Sequence, residues 1–324
     1  MKSSYLIFIL FLLHFGDIYA QERIKTENQT NFDSVYSEFS RFVYLDSIVI
    51  SAKRNGFDVN DFIKMVMEDN SFYKAFKNLR FSEYDFENNL EFFSKKDDLK
   101  AKFKSISHQY YKNNCRWMNE KKIIVNKGIY KKNKQYKYYT SRLYDRLFYT
   151  HGILCNQDTS HLLNLNNKHA RGMEKYVLEL KKLIFSPGRK TNIPFIGRKM
   201  EIFSKKMRKY YNFSITSTYY QDSIPCYVFT ASLKPNLTLS QADETVLKYL
   251  KTLFSRKNLQ IIRREYHLKY KTIAYDFNVK MAIKLQKINE KYYPQNIKYD
   301  GTWHVLFKKR ETCKFSTKIY NLIP

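Results

Sequence analysis

The eleven residues Tyr275-Asp276-Phe277-Asn278-Val279-Lys280-Met281-Ala282-Ile283-Lys284-Leu285 decide the fold. Large apolar or aromatic side chains occupy every odd position, with polar residues or alanine between them. A period of two places one set on each face of an extended chain, so the segment is a β-strand with one buried face. The neighbouring sequence agrees. Ile262, Arg264, Tyr266, Leu268 and Tyr270 repeat at the same spacing, and Tyr219 to Asp222 reads as a turn between strands Phe213–Ser217 and Tyr227–Ala231. Asp300-Gly301 reads as a second turn, separating Ile297-Lys298-Tyr299 from Trp303–Phe307. Val246, Leu247, Leu250, Leu253 and Phe254 fit a helix by spacing and a strand by context. Residues 193–320 together supply about seven strands joined by short connections, which is an antiparallel meander.

Upstream the pattern is mixed. Val43 to Ile50 is rich in β-branched residues and reads as a strand, and Asn55-Gly56 as a turn. Asp58 is placed to cap a helix carrying Phe62, Ile63 and Val66, and Ser71 to cap another carrying Phe72, Ala75, Phe76 and Leu79. Strands are expected over Phe86–Phe93 and Ala101–Tyr110. Helices follow from Ser141 to Leu154 and across Met173, Val177, Leu180, Leu183 and Ile184 up to Pro187-Gly188, with a polar loop over 156–167 between them. The expected fold class is α+β: one domain over 21–324, helix-rich at about 55–190, with a large antiparallel sheet at about 193–320 and helices packed on one of its faces.

Residues 1–20 carry Lys2, an apolar run from Tyr5 to Phe15 and the ending Ile18-Tyr19-Ala20. This is the pattern of a secretory signal peptide with Ala20 as the last residue removed. The run is well short of the roughly 20 apolar residues a spanning helix needs, and no later stretch reaches that length without charges. The expected location is the periplasm or the extracellular space. There the four cysteines allow three disulfide connectivities. Cys115 and Cys155 flank a basic, tyrosine-rich segment and are the favoured pair; Cys226 and Cys313, in strand-like sequence, read equally as buried thiols. No C-x-x-C occurs, so a zinc site is not expected.

The chain has 324 residues, 44% apolar and 17% aromatic, including 28 Tyr and 25 Phe, which is ample material for a core and excludes collagen-like and low-complexity classes. Its formal charge is +28, distributed as a net 0 over 21–120, +17 over 121–210 and +11 over 211–324. Such asymmetry favours polyanions. Lys131, Lys132, Lys134 and Lys137, interleaved with Tyr130, Tyr136, Tyr138 and Tyr139, are the candidate anion-binding residues. Export and the absence of a nucleic-acid motif turn the expected partner from nucleic acid to anionic lipid or polysaccharide of the cell envelope, with a plain solvated surface as the alternative.

Catalytic signatures are missing. Neither G-x-S-x-G nor S-x-x-K stands at a strand-to-helix turn, phosphate-cradling glycine loops are absent, and His161 and His169 lack metal-ligand spacing. Asp145 and His151, six apart on one expected helix, should point to different sides. No enzyme activity, cofactor or metal is expected.

The order of signal peptide, helices and a long meander reaching Tyr292-Tyr293-Pro294 and a final hairpin resembles the outer-membrane lipoprotein-carrier superfamily. Gly56-Phe57-Asp58-Val59-Asn60-Asp61-Phe62-Ile63, the run Asp145 to Gly152, and Tyr299-Asp300-Gly301-Thr302-Trp303-His304 resemble exported bacterial proteins that carry this kind of sheet. The resemblance implies a curved half-barrel with helices over its concave face and an apolar cavity between. On that reading Phe229, Tyr266, Phe277 and Met281 point inward as candidate contacts for a lipid or acyl ligand, or else fill an ordinary core.

Overall fold

The computed structural model describes residues 43–45, 66–156, 187–190, 196–273, 275–305 and 308–324. The expected signal peptide, the helix capped by Asp58 up to residue 65, His161, His169 and the helix over 173–184 lie outside them. Twelve strands form one open sheet: β1 (Val43–Leu45), β2 (Glu83–Phe93), β3 (Leu99–Lys112), β4 (Cys115–Lys127), β5 (Leu154–Cys155), β6 (Tyr211–Tyr220), β7 (Ile224–Leu233), β8 (Leu247–Ser255), β9 (Ile261–Lys271), β10 (Tyr275–Ile288), β11 (Lys291–Val305) and β12 (Glu311–Ile323). Their spatial order is β1-β6-β7-β8-β9-β10-β11-β12-β2-β3-β4-β5. Only β1 pairs in parallel, against β6; the other eleven form a curved antiparallel sheet. The fold is thus α+β and half-barrel-like.

Strands β6 to β12 are the meander read from the period of two, and the ambiguous Val246–Phe254 stretch is its strand β8. Two connections are two-residue turns with both residues at positive φ, Asn113-Asn114 and Asn289-Glu290, and the three-residue connection between Tyr220 and Ile224 has Gln221 and Asp222 at positive φ. That geometry matches the twist of the strands it joins.

Asp300-Gly301 is not a turn. β11 runs straight through it, with Asp300 opposite Lys280 and Lys314, and Gly301 opposite Val279 and Cys313. Glycine serves a different purpose here, because a Cβ at 301 would overlap the Tyr299 ring that lies across it. The stretch expected to be helix-rich also contains β2, β3 and β4, which continue the sheet beyond β12.

Register explains the core. Phe213, Ala231, Leu250, Tyr266, Met281, Tyr299, Phe315, Leu90 and Phe103 are successive partners across nine strands, one unbroken row on one face. The parallel row beside it is Ile215, Phe229, Thr252, Arg264, Ile283, Ile297, Thr317, Asn88 and Ser105. Three pieces of chain cover this face. Phe203 stacks on Phe213 at 5.8 Å, just ahead of α3 (Lys205–Arg208). Phe72 of α1 (Ser71–Asn78) lies under the Arg264 guanidinium, 4.7 Å from its ring centre. Tyr144 of α2 (Tyr139–Phe148) packs edge-on against Phe315 at 4.9 Å. Helices therefore sit on one face, as the pattern predicts.

Two helix boundaries differ from the sequence reading. Ser71 is the first helical residue, not the cap; Asp69 Oδ1 accepts from its backbone N–H at 3.2 Å and its hydroxyl at 2.7 Å. The helix expected to reach Leu154 stops at Phe148, and the chain turns outward to form β5.

Candidate functional site

The face opposite the helices carries the charges. Two of its register rows, Glu265–Ala282–Lys298–Ser316–Asn89 and His267–Lys280–Asp300–Lys314–Glu91, border a depression of about 600 Å³ running across β8–β12 and β2. Tyr266, Met281, Tyr299 and Phe315 lie between these rows in the chain and also line it. Ala282, the one small apolar residue in the two rows, leaves room over the middle of the sheet.

Charge neutralisation there is uneven. Glu265 is engaged by Arg263, whose Nε donates at 2.6 Å, and Glu91 by Lys102 at 2.7 Å, both cations outside the depression. The ion pair with Lys102 holds the Glu91 carboxyl below its ordinary range. Lys314 extends over the Phe93 ring at 5.2 Å. Lys280 and Lys298 make no ion pair among the described residues, and Asp300 stands opposite Lys280 and Lys314 in register.

Tyr266 and Met281, two of the proposed ligand contacts, are direct register partners, and the Tyr266 hydroxyl donates to Met281 Sδ at 2.8 Å. Both are buried. Phe277, half-buried, lies on the same face four residues from Met281 and stacks on Tyr275. Phe229 stands apart from them, enclosed with Phe203 and Phe213 under the segment before α3. The structure thus unites two of the four and places Phe229 in a packed aromatic core. Lys280, Lys298 and Asp300 were missed by sequence reading, which followed the apolar positions of these strands and not the alternating ones.

Lys131, Lys132, Lys134 and Lys137 are exposed on a small loop after β4. Lys131 N–H donates to Gln135 O at 2.8 Å, Tyr130 bridges Tyr136, and their rings stack at 5.0 Å. The tyrosines make the rigid body of the loop and the lysines its solvent face. Cys115 and Cys155 are register partners of β4 and β5 and form a disulfide; Cys226 and Cys313 are buried thiols.

Two histidine clusters were open to a catalytic reading. Asp145 and His151 do meet, against expectation: α2 ends before His151, and the chain folds back so that Nε2 lies 2.8 Å from Asp145 Oδ2, while Tyr136 donates to Oδ1 at 2.8 Å. His151 is 70% exposed, and among the described residues no hydroxyl or thiol hydrogen-bonds to its ring. His108 lies between Asp85 (2.8 Å from Nδ1) and Glu83 (3.0 Å from Nε2), so each ring nitrogen already faces a carboxylate. Neither stands beside a nucleophile as general-base chemistry requires. Among the described residues no three His, Cys, Asp or Glu side chains converge as metal ligands, and no helix is long and apolar enough to cross a membrane.

No family model and no curated protein matches the chain. Similar solved structures include a domain named as an outer membrane lipoprotein-sorting protein from Vibrio parahaemolyticus, at 6% identity and TM-score 0.26, covering 78% of this chain and 90% of that one. A DUF1329 family protein from Desulfovibrio piger is 10% identical with TM-score 0.24, covering 80% and 92%. A LolA superfamily protein from Nitrosomonas europaea is 7% identical with TM-score 0.23, covering 81% and 94%. No residue assignment follows from these similarities.

Proposed function

We propose that the protein is an exported binding or carrier protein of the cell envelope whose ligand is an amphiphilic anion, an acyl or lipid-like molecule with an acidic head. The observation that carries this reading is the depression of about 600 Å³, within the size range of small-molecule sites, lined by Lys280 and Lys298, which make no ion pair among the described residues. Alkyl stems of Lys280, Lys298 and Lys314 offer the apolar contact and their ammonium groups the charge. No catalytic role is assigned. Native mass spectrometry of the mature protein purified without detergent tests the reading: a lipid adduct is expected, and it should be lost from the Lys280→Glu/Lys298→Glu double variant. A clean apo mass, together with no uptake of added acyl anions, would overturn it.

A second reading is favoured by the exposed lysine loop, whose position suits docking on anionic envelope lipid or polysaccharide. Retention on a heparin column should then fall with salt and with charge reversal at Lys131, Lys132 and Lys134. Retention unchanged by that reversal would exclude this loop as the docking surface.

A further inference from the structure

On the helix-covered face, at the end of β2–β4, two arginines come together, and among the described residues neither is ion-paired or hydrogen-bonded to a carboxylate. Arg80 follows α1 in the short 3₁₀ turn Leu79–Phe81, and Arg116 begins β4. They are brought together by a chain of hydrogen bonds. Gln109 Nε2 donates to the carbonyls of Leu79 (2.8 Å) and Ser82 (2.9 Å), anchoring the turn to β3. Gln109 Oε1 accepts from Thr150 Oγ1 at 3.2 Å and from the Tyr84 hydroxyl at 3.3 Å. Thr150 Oγ1 in turn accepts from Arg116 Nη1 at 3.1 Å, the one hydrogen bond this guanidinium makes among the described residues. Arg80 Nη1 is buried and has no hydrogen-bond partner among the described residues.

Both arginines are half-buried, but a guanidinium N–H enclosed without an acceptor is costly, and a second cation nearby adds repulsion. Burial, and then the field of Arg116, push Arg80 down to about 10; burial likewise lowers Arg116. Arginine cannot relieve the strain by losing its proton at neutral pH. Two fixed positive charges lacking a carboxylate call for a dianion, and a phosphate group carries about −1.5 to −2 at pH 7 with three acceptor oxygens.

We propose that Arg80 and Arg116 form a binding site for a phosphate group, gripped by both guanidinium groups beside Tyr84 and Thr150. The site is on the face opposite the lysine-rimmed depression and stands independently of it. Its phosphate comes either from the free ion or from the monoester head of a lipid.

The test is isothermal titration of the full mature protein at fixed ionic strength with inorganic phosphate and with dihexanoyl phosphatidic acid. Saturable one-to-one binding of inorganic phosphate is expected, and with the lipid analogue, which the depression would also take, a separate one-to-one component at this site; both are weakened about tenfold or more in Arg80→Met and Arg116→Met, each of which removes charge-assisted hydrogen bonds. The Lys280→Ala/Lys298→Ala variant should bind as tightly as wild type at this site, which separates its failure from that of the depression. Tighter binding of the lipid analogue identifies a lipid head as the source; equal binding identifies the phosphate group alone. No saturable binding of either probe, or equal binding by Arg80→Met, would overturn the proposal. Should Arg80→Met not fold, Arg80→Lys keeps the charge but loses the planar fork, and binding unchanged in that variant would count against the site equally.

Discussion

Glu311 shows how one side chain can set an element from far away in sequence. Its two carboxylate oxygens accept from the backbone N–H groups of Tyr139 (2.7 Å) and Thr140 (3.0 Å), the first turn of α2. Thr140 Oγ1 donates to the same carboxylate at 2.8 Å and accepts from Trp303 Nε1 at 2.7 Å. A helix N-terminus is satisfied here by a strand residue instead of a local cap. Glu311→Ala should cost about 2 kcal/mol in urea unfolding, with Glu311→Gln losing less because it retains one acceptor. Asp85 offers a pH test. Burial raises its carboxyl, but hydrogen bonds from Lys121 (2.6 Å), His108 and Asn321 (2.8 Å) outweigh that and hold it at about 2. Because the folded value lies below the unfolded one, this stabilisation is complete above about pH 4 and lost as pH falls through 2. Asp85→Asn should therefore lower the melting temperature at pH 6, and the gap to wild type should close by pH 2. Neither role is legible in sequence, since the partners lie 171 and 236 residues apart.

Elements were more readable where a pattern was local. The alternation in β10, the Gln221-Asp222 turn and the apolar stripe of α1 all depend on neighbours in the chain. Asp300-Gly301 misled because Asp-Gly has turn chemistry locally, while pairing on both sides decides for a strand. Gly301→Val would expel the Tyr299 ring from its place against Phe315, where the two stack at 4.6 Å; loss of about 2 kcal/mol or more is expected, read by thermal unfolding. The disulfide is an element-scale tie as well. Beyond Arg116 the edge of β4 away from β3 has no partner strand among the described residues, and β5 contributes only two residues to hold α2's exit against it. Closing a loop of 40 residues, the bond should be worth about 3–4 kcal/mol, so Cys155→Ser or dithiothreitol should lower the midpoint of denaturation measurably.

For the whole molecule, class and general plan followed from the two periods in the sequence, while both candidate sites depend on registry across strands. Lys280, Lys298 and Asp300 look like routine solvent positions until pairing sets them around one hollow. Arg80 and Arg116 look like ordinary surface arginines until Gln109 and Thr150 bind their elements together. One of the two nine-strand rows changes from apolar to polar along its length: Thr317, Asn88 and Ser105 end a row that begins with Ile215 and Phe229. The Tyr144 hydroxyl meets Thr317 Oγ1 at 2.7 Å and donates to Asn88 Oδ1, and the Tyr149 hydroxyl accepts from Asn88 Nδ2 at 2.9 Å, so the polar end is satisfied by tyrosines from above.

The place of β12 between β11 and β2 carries a consequence for how the chain is made. β2 and β3 emerge early in synthesis and can pair at once as a hairpin, but the other edge of β2 finds its partner only when residues 311–323 arrive. Until then the early and late strands are two blocks without a seam, each presenting bare backbone to any other strand nearby. A chain delivered end-on through a narrow channel would wait with that edge open for almost its entire passage, and a premature stop in the last strand would leave it open for good.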